Sequence, residues 1–314
     1  MIVATLIADS GIDERLLTEV AHRFDVDSLA GSLSSPIALL DDGFAGEFHF
    51  RPAEGFEASQ CAELAEAIKA RALAIAKGGF QRDLRLDVIV QPAAGREKKL
   101  LVADMDSTMI TVECIDELAD YAGIKAQIAE VTEAAMRGEL DFAEALDARV
   151  ALLAGLGADA IDRCLAERVR LMPGAQTLVR TMKARGATTI LVSGGFTRFA
   201  RPVGAQIGFD RVIANELVIE AGALTGAVTR PIVDSATKET TLLEAMAALD
   251  LPAGATLAVG DGANDLAMIR RAGLGVAYHA KPIVAAAAGA RIDHGDLTAL
   301  LHAQGIPRGE WVTE

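Results

Sequence analysis

The sequence is poor in cysteine, in aromatic residues and in basic charge, and each shortage removes a class of function. Cys61, Cys114 and Cys164 are its three cysteines. Odd in number, far apart and without a C-x-x-C pair, they exclude a disulfide framework and predict reduced thiols in a cytoplasmic protein. Only 4% of the residues are aromatic, yet 51% are hydrophobic and the mean hydropathy is +0.30, which fits a well-buried α/β protein and not a disordered one. Thirty Lys and Arg stand against 44 Asp and Glu, a net charge of −14. Such a surface repels phosphate backbones and anionic membranes, so nucleic acid is not an expected partner. No apolar run approaches the roughly 20 residues of a membrane span. Residues 1–8 lack a basic leader and meet Asp9 early, which predicts a strand and not a signal peptide. No G-x-x-x-x-G-K-[ST] run exists, so a P-loop is excluded.

What is present divides in two. Residues 1–95 predict a small ferredoxin-like unit of order βαββαβ, similar in layout to amino-acid-binding ACT domains. Its strands are expected at 2–8, 34–40, 45–51 and 83–91, with helices at 13–24 and 57–77, the second ended by Gly78-Gly79. The unit is expected to pack, to form a homodimer or to sense an effector. A linker at 92–97 leads into residues 96–314, an alternating α/β pattern of Rossmann-like type with a parallel sheet. That alternation is interrupted by a wholly helical block at about 111–172, read as an inserted cap.

Three predicted strands end in polar clusters: Asp104/Asp106, Ser193-Gly194-Gly195, and Asp261 with Asn264 and Asp265. In a parallel sheet all three ends share one edge, where open α/β sheets bind ligands. Four carboxylates in one crevice repel unless a hard cation joins them, and an all-oxygen set without His or Cys favours Mg²⁺. Ser193 with the following amides forms a cradle for phosphate, and Lys238 adds positive charge. Gly260-x-Gly262 lacks the third glycine of a dinucleotide fingerprint. The five histidines are scattered and take no role, Cys114 is expected to pack, and Trp311 to cover an apolar patch.

Asp104-Met105-Asp106-Ser107-Thr108, Ser193-Gly194-Gly195, Lys238 and Gly260-Asp261-Gly262-Ala263-Asn264-Asp265 resemble the four motifs of the haloacid dehalogenase superfamily. The stretches Val112–Ala119, Gly138–Phe142 with Arg149-Val150, and Leu171–Gly174 are similar to its phosphoserine phosphatase branch. The resemblance covers roughly residues 98–300. It implies a Mg²⁺-dependent hydrolase of O-phospho-L-serine, acting at the last step of serine biosynthesis on a small-molecule substrate. Asp104 would be the nucleophile, its pKa held low by the metal and a lysine together, and Asp106 the general acid and base. The metal would be held by Asp104, the backbone carbonyl of Asp106 and Asp261, with Asp265 in support. Ser193, Gly194 and Lys238 would hold the phosphate. Glu113 and Arg149 would take the ammonium and carboxylate of the amino acid, with Phe142 and Met136 as apolar wall and Asn264 nearby. The alternatives are another small phosphorylated amino or hydroxy acid, transfer to an alcohol such as homoserine, or an amino-acid sensor with secondary catalysis.

Overall fold

Strand β1 (Ile2–Ile12) is apolar at nearly every early position, and the computed structural model buries it on both faces. The structure describes residues 1–25, 32–34 and 37–313, apart from the side chains of Phe24, Asp25, Ser32 and Met136. After β1 come α1 (Glu14–Asp25), β2 (Ser32–Leu33), β3 (Ala38–Asp41), β4 (Gly43–Arg51), α2 (Cys61–Gly79) and β5 (Leu86–Pro92). The sheet is antiparallel, in the order β2-β4-β1-β5 with β3 also on β4, which is the ferredoxin-like arrangement. Ala4, Leu6, Phe48, Phe50, Val88 and Val90 point to the two helices. The alternate residues Ile7, Ala45 and Ile89 join the main hydrophobic core of the rest of the chain.

Two local expectations shift. The strand expected at 34–40 is β3 alone, beginning at Ala38; residues 35 and 36 lie outside the described ones. The helix expected to stop before Gly78-Gly79 runs through both, because they face solvent and a missing side chain leaves no gap there. The stop falls on Phe80, whose ring lies under Arg15 and Arg82 with the guanidinium carbons 5.3 and 5.4 Å from its centre.

The chain then enters the larger sheet through β6 (Leu100–Ala103). Four helices follow, α3 (Cys114–Ala122), α4 (Lys125–Met136), α5 (Phe142–Ala151) and α6 (Asp159–Glu167). The two connections to this helical block run side by side, Thr111 N donating to Arg170 O (3.0 Å) and Met172 N to Met109 O (2.9 Å). The remaining elements are α7 (Ala175–Ala184), β7 (Thr188–Phe196), α8 (Thr197–Ile207), β8 (Arg211–Asn215), the hairpin β9 (Leu217–Glu220) and β10 (Ala223–Val228), α9 (Ser235–Ala248), β11 (Thr256–Gly260), α10 (Leu266–Arg271), β12 (Leu274–Tyr278), α11 (Pro282–Ala285), β13 (Ala290–Ile292) and α12 (Ala299–Ala303). The six strands of the larger sheet are parallel, in the order β13-β12-β11-β6-β7-β8. The β9–β10 hairpin leaves this sheet and binds the helical block, Gly155 N donating to Leu224 O at 2.8 Å and Leu224 N to Leu156 O at 2.9 Å.

The two sheets are tied together at a polar interface. The buried Asp87 carboxylate of β5 accepts from the backbone N–H groups of Asp293, His294 and Gly295 at 2.9, 3.0 and 2.8 Å. Arg96 forks onto Glu47 at 2.6 and 3.0 Å, and Gln91 donates to Ala303 O at 2.7 Å. Trp311 closes the region against His302, their rings 4.8 Å apart. No helix among the described residues is long and apolar enough to cross a membrane.

Candidate active site

Register places the site. Ala103 of β6 lies opposite both Leu191 of β7 and Val259 of β11. One step further along each strand, Asp104, Val192 and Gly260 are level. Ser193 and Asp261 follow immediately, so the polar ends expected to converge do so. Asp104 N donates to Val259 O (3.0 Å), carrying the sheet one residue into the site.

Lys238, on the first turn of α9, is fully buried, and its ammonium bridges Asp104 Oδ1 and Asp265 Oδ1, both at 2.7 Å. Two carboxylates hold it charged, raising its pKa despite burial. Asp265 Oδ2 accepts from Gly262 N at 3.0 Å, so both of its oxygens are engaged. Gly260 is required beneath it, because a Cβ there would fall on the Asp265 carboxyl group. Asp104 Oδ1 also accepts from Met105 N (2.8 Å), while Oδ2 receives no hydrogen bond from a described residue. Asp261 Oδ1 accepts from Thr108 Oγ1 at 3.2 Å.

The low pKa expected of Asp104 rests on a metal as well as on Lys238, and Lys238 by itself does not deliver it. Burial and the neighbouring Asp265 push the carboxyl up, and Lys238 only partly opposes them. Asp261 is pushed up to about 6 by burial, Asp265 and Glu113. Asp106 is raised to about 7, chiefly by burial and then by Glu113, against the N–H of Cys114 at 3.4 Å. Carboxylate atoms of Asp104, Asp261 and Asp265 lie within 4.8 Å of one another. This oxygen-only cluster fits a hard divalent cation, whose charge would relieve the repulsion that raises these groups. Because Asp265 is occupied by Lys238 and Gly262, the carboxylates free for such an ion are Asp104 and Asp261.

These residues form one side of a cavity of about 500 Å³ lined also by Glu113, Asp116, Thr132, Phe142, Leu146, Arg149, Asn264 and Lys281. Ser193 Oγ accepts from Gly195 N at 2.9 Å, which leaves its own hydrogen available to a ligand. Phe142 of α5 lies over Gly194, where a Cβ would come within 3.1 Å of the ring. Glu113 is held by Ser107 Oγ at 2.7 Å, from a backbone turn with φ of 55°. Arg149 bonds its own helix at Ala145 O (3.1 Å) and forms no ion pair among the described residues; burial lowers its pKa, against Asp116 and Glu113. The Met136 side chain, expected in the apolar wall, lies outside the described ones. Lys281 was missed by the sequence reasoning, which considered three strand ends; the same rule applied to the end of β12 finds it. Asn215, whose amide holds the backbone of Gly194 (2.8 Å), carries no motif and had no signal.

A model of the haloacid dehalogenase-like hydrolases matches residues 101–270, which contain all four motifs. The chain belongs to this family. Among relatives of this chain, a phosphoserine phosphatase of Streptomyces coelicolor is 50% identical over 230 residues, 72% of this chain and 56% of that protein. A phosphoserine phosphatase of Albidiferax ferrireducens is 46% identical over 228 residues, 71% of this chain and 92% of that protein. The match thus spans little more than half the length of the Streptomyces relative. A solved HAD family hydrolase from Salmonella enterica serovar Typhi aligns with TM-score 0.78 and 28% identity, covering 96% of this chain and 97% of that one. Both sheets of this chain therefore have a counterpart in one known molecule.

Proposed function

We propose that the protein hydrolyses O-phospho-L-serine to serine and phosphate through an aspartyl-phosphate, in the cytoplasm and in serine biosynthesis. One observation carries the proposal: a carboxylate with a free oxygen, Asp104 Oδ2, beside a buried lysine, in the same cavity as Glu113 and Arg149. The two relatives named above carry the substrate's name. The three unpaired cysteines agree with a reducing compartment.

In this mechanism Asp104 Oδ2 attacks phosphorus in line, and the bond from phosphorus to the seryl oxygen breaks. Asp106 protonates the departing oxygen; a carboxyl raised to about 7 is well supplied with that proton near neutrality. Left as a carboxylate, it then takes a proton from the water that attacks phosphorus, and Asp104 is regenerated. Ser193, the Gly194 amide and Lys238 hold the equatorial oxygens, where transition-state charge resides. Asp104, the backbone carbonyl of Asp106 and Asp261 would hold Mg²⁺, which supplies charge neutralisation at the phosphoryl group. Arg149 takes the substrate carboxylate and Glu113 its ammonium, a pairing that discriminates against phosphoglycolate, which has no amine. Phe142 excludes water when the cap is closed.

The test is a phosphate-release screen over phosphoserine, phosphothreonine and phosphoglycolate, with and without Mg²⁺, in wild type and Arg149→Ala. Phosphoserine should lead, Mg²⁺ should be required, and Arg149→Ala should erase the preference. An unchanged preference in that variant would remove the substrate assignment.

A further inference from the structure

Asn215 ends β8 and is 2% exposed. Its surroundings are set by an irregularity in the sheet. Ile190, Leu191 and Val192 pair in order with Arg211, Val212 and Ile213, but the next pair is Phe196 with Asn215. Residues 193–195 therefore bulge from the ladder, and their backbone groups need other partners. The Asn215 carboxamide supplies them. Its Oδ1 accepts from Val233 N at 2.7 Å, while Nδ2 donates to Gly194 O at 2.8 Å and to Val233 O at 3.4 Å. The Val233 N–H can be met only by an oxygen, which fixes the orientation of the amide.

The Gly194 carbonyl and the Gly195 N–H belong to one rigid peptide plane. Asn215 holds the oxygen end, and Ser193 Oγ holds the N–H end at 2.9 Å. At its other face Asn215 holds Val233, the residue before Asp234, which caps α9 by accepting from Thr237 N at 2.8 Å. Lys238 lies on that first turn. One buried amide thus spans the strand end that carries Ser193 and Gly194 and the turn that launches Lys238.

We propose that Asn215 is a positioning residue for the phosphoryl group: it aligns the Ser193–Gly195 bulge with the start of α9, so that Ser193 Oγ, the Gly194 amide and Lys238 address the same anion. This rests on the phosphatase reading above. Asn215 touches no substrate and acts through Gly194 and Val233.

The experiment measures kcat per folded molecule and two inhibition constants, one for inorganic phosphate and one for L-serine, in wild type, Asn215→Ala and Asn215→Asp. The Asp variant keeps the size and the acceptor for Val233 N but cannot donate to Gly194 O as a carboxylate, and it carries the comparison where the Ala variant does not fold. A misaligned cradle should lower kcat about 10- to 100-fold and weaken phosphate about tenfold. Inhibition by serine, which is held by the cap, should change less than about twofold. Parallel weakening of both inhibitors, or unchanged phosphate inhibition and kcat, would overturn the assignment. Should the wild type release no phosphate from phosphoserine, the substrate reading falls alone, and phosphate binding followed by thermal shift still decides the role of Asn215.

Discussion

Two buried aspartates, one in each sheet, differ in how their charge is met. Asp87 of the N-terminal sheet receives three backbone N–H groups from residues 293–295, with Lys69 at 3.9 Å. Asp104 of the parallel sheet shares Lys238 with Asp265, receives one N–H, and is raised by burial and by its acidic neighbour. A fully solvated-in-place carboxylate fastens two pieces of backbone together. A crowded one stores unfavourable electrostatic energy that a cation or a phosphoryl group can release. Burial is common to both, and satisfaction separates architecture from chemistry.

Substitutions should break this contrast in opposite directions. Asp104→Asn removes the attacking oxygen and should lower turnover by about 10⁴-fold or more, with no phosphoenzyme trapped, while the melting temperature moves little. Retention of a phosphate burst would end the nucleophile assignment. Asp87→Ala should do the reverse, costing about 3 kcal/mol of stability in denaturant titrations through orphaned N–H groups, with turnover per folded molecule within about threefold. A cation sharpens the same distinction. At a hundredfold excess over its Kd, Mg²⁺ should stabilise the wild type by about 2.7 kcal/mol and Asp261→Asn far less; equal shifts would place the ion elsewhere.

The smallest expected effect concerns His302, between the two sheets. Burial lowers its pKa from 6.5 to about 4, against the carboxylates of Asp41 and Asp296 and with the repulsion of Arg308. The unfolded chain therefore binds this proton first as pH falls, so folding stability declines from about pH 6.5 down to about 4 and is level below. The loss between pH 7 and 5 is about 2 kcal/mol. His302→Gln should flatten that segment of the pH–stability curve, and an unaltered slope would assign the decline to other groups.

The elements of the candidate site were legible because each is a short polar run at the end of an apolar strand, and parallel register does the rest. Asp104, Ser193 and Asp261 needed only that rule. What lies between those runs was hidden. Asn215 works by repairing a bulge, and a bulge is a property of two paired strands, absent from either alone. The sharing of Lys238 between Asp104 and Asp265 was also out of reach, since a sequence does not show which carboxylates one ammonium meets. The second face of the N-terminal sheet was closer to hand. The near-continuous apolar run at residues 2–8 signals a strand covered on both sides, whereas one with a wet face alternates. Ile7 and Ile89 join the larger core, as that run implies.

The hydrogen bond from Gln91 to Ala303 spans 212 residues of sequence. At about 5 to 20 residues per second that separation takes about 10 to 40 s to synthesise. During that interval the nascent N-terminal sheet presents Ile7, Ala45 and Ile89 without their cover, a surface suited to capture by a holdase chaperone. Ribosome-stalled chains ending before residue 299 should be cleaved readily at this sheet by an added protease, and released chains that carry α12 should resist.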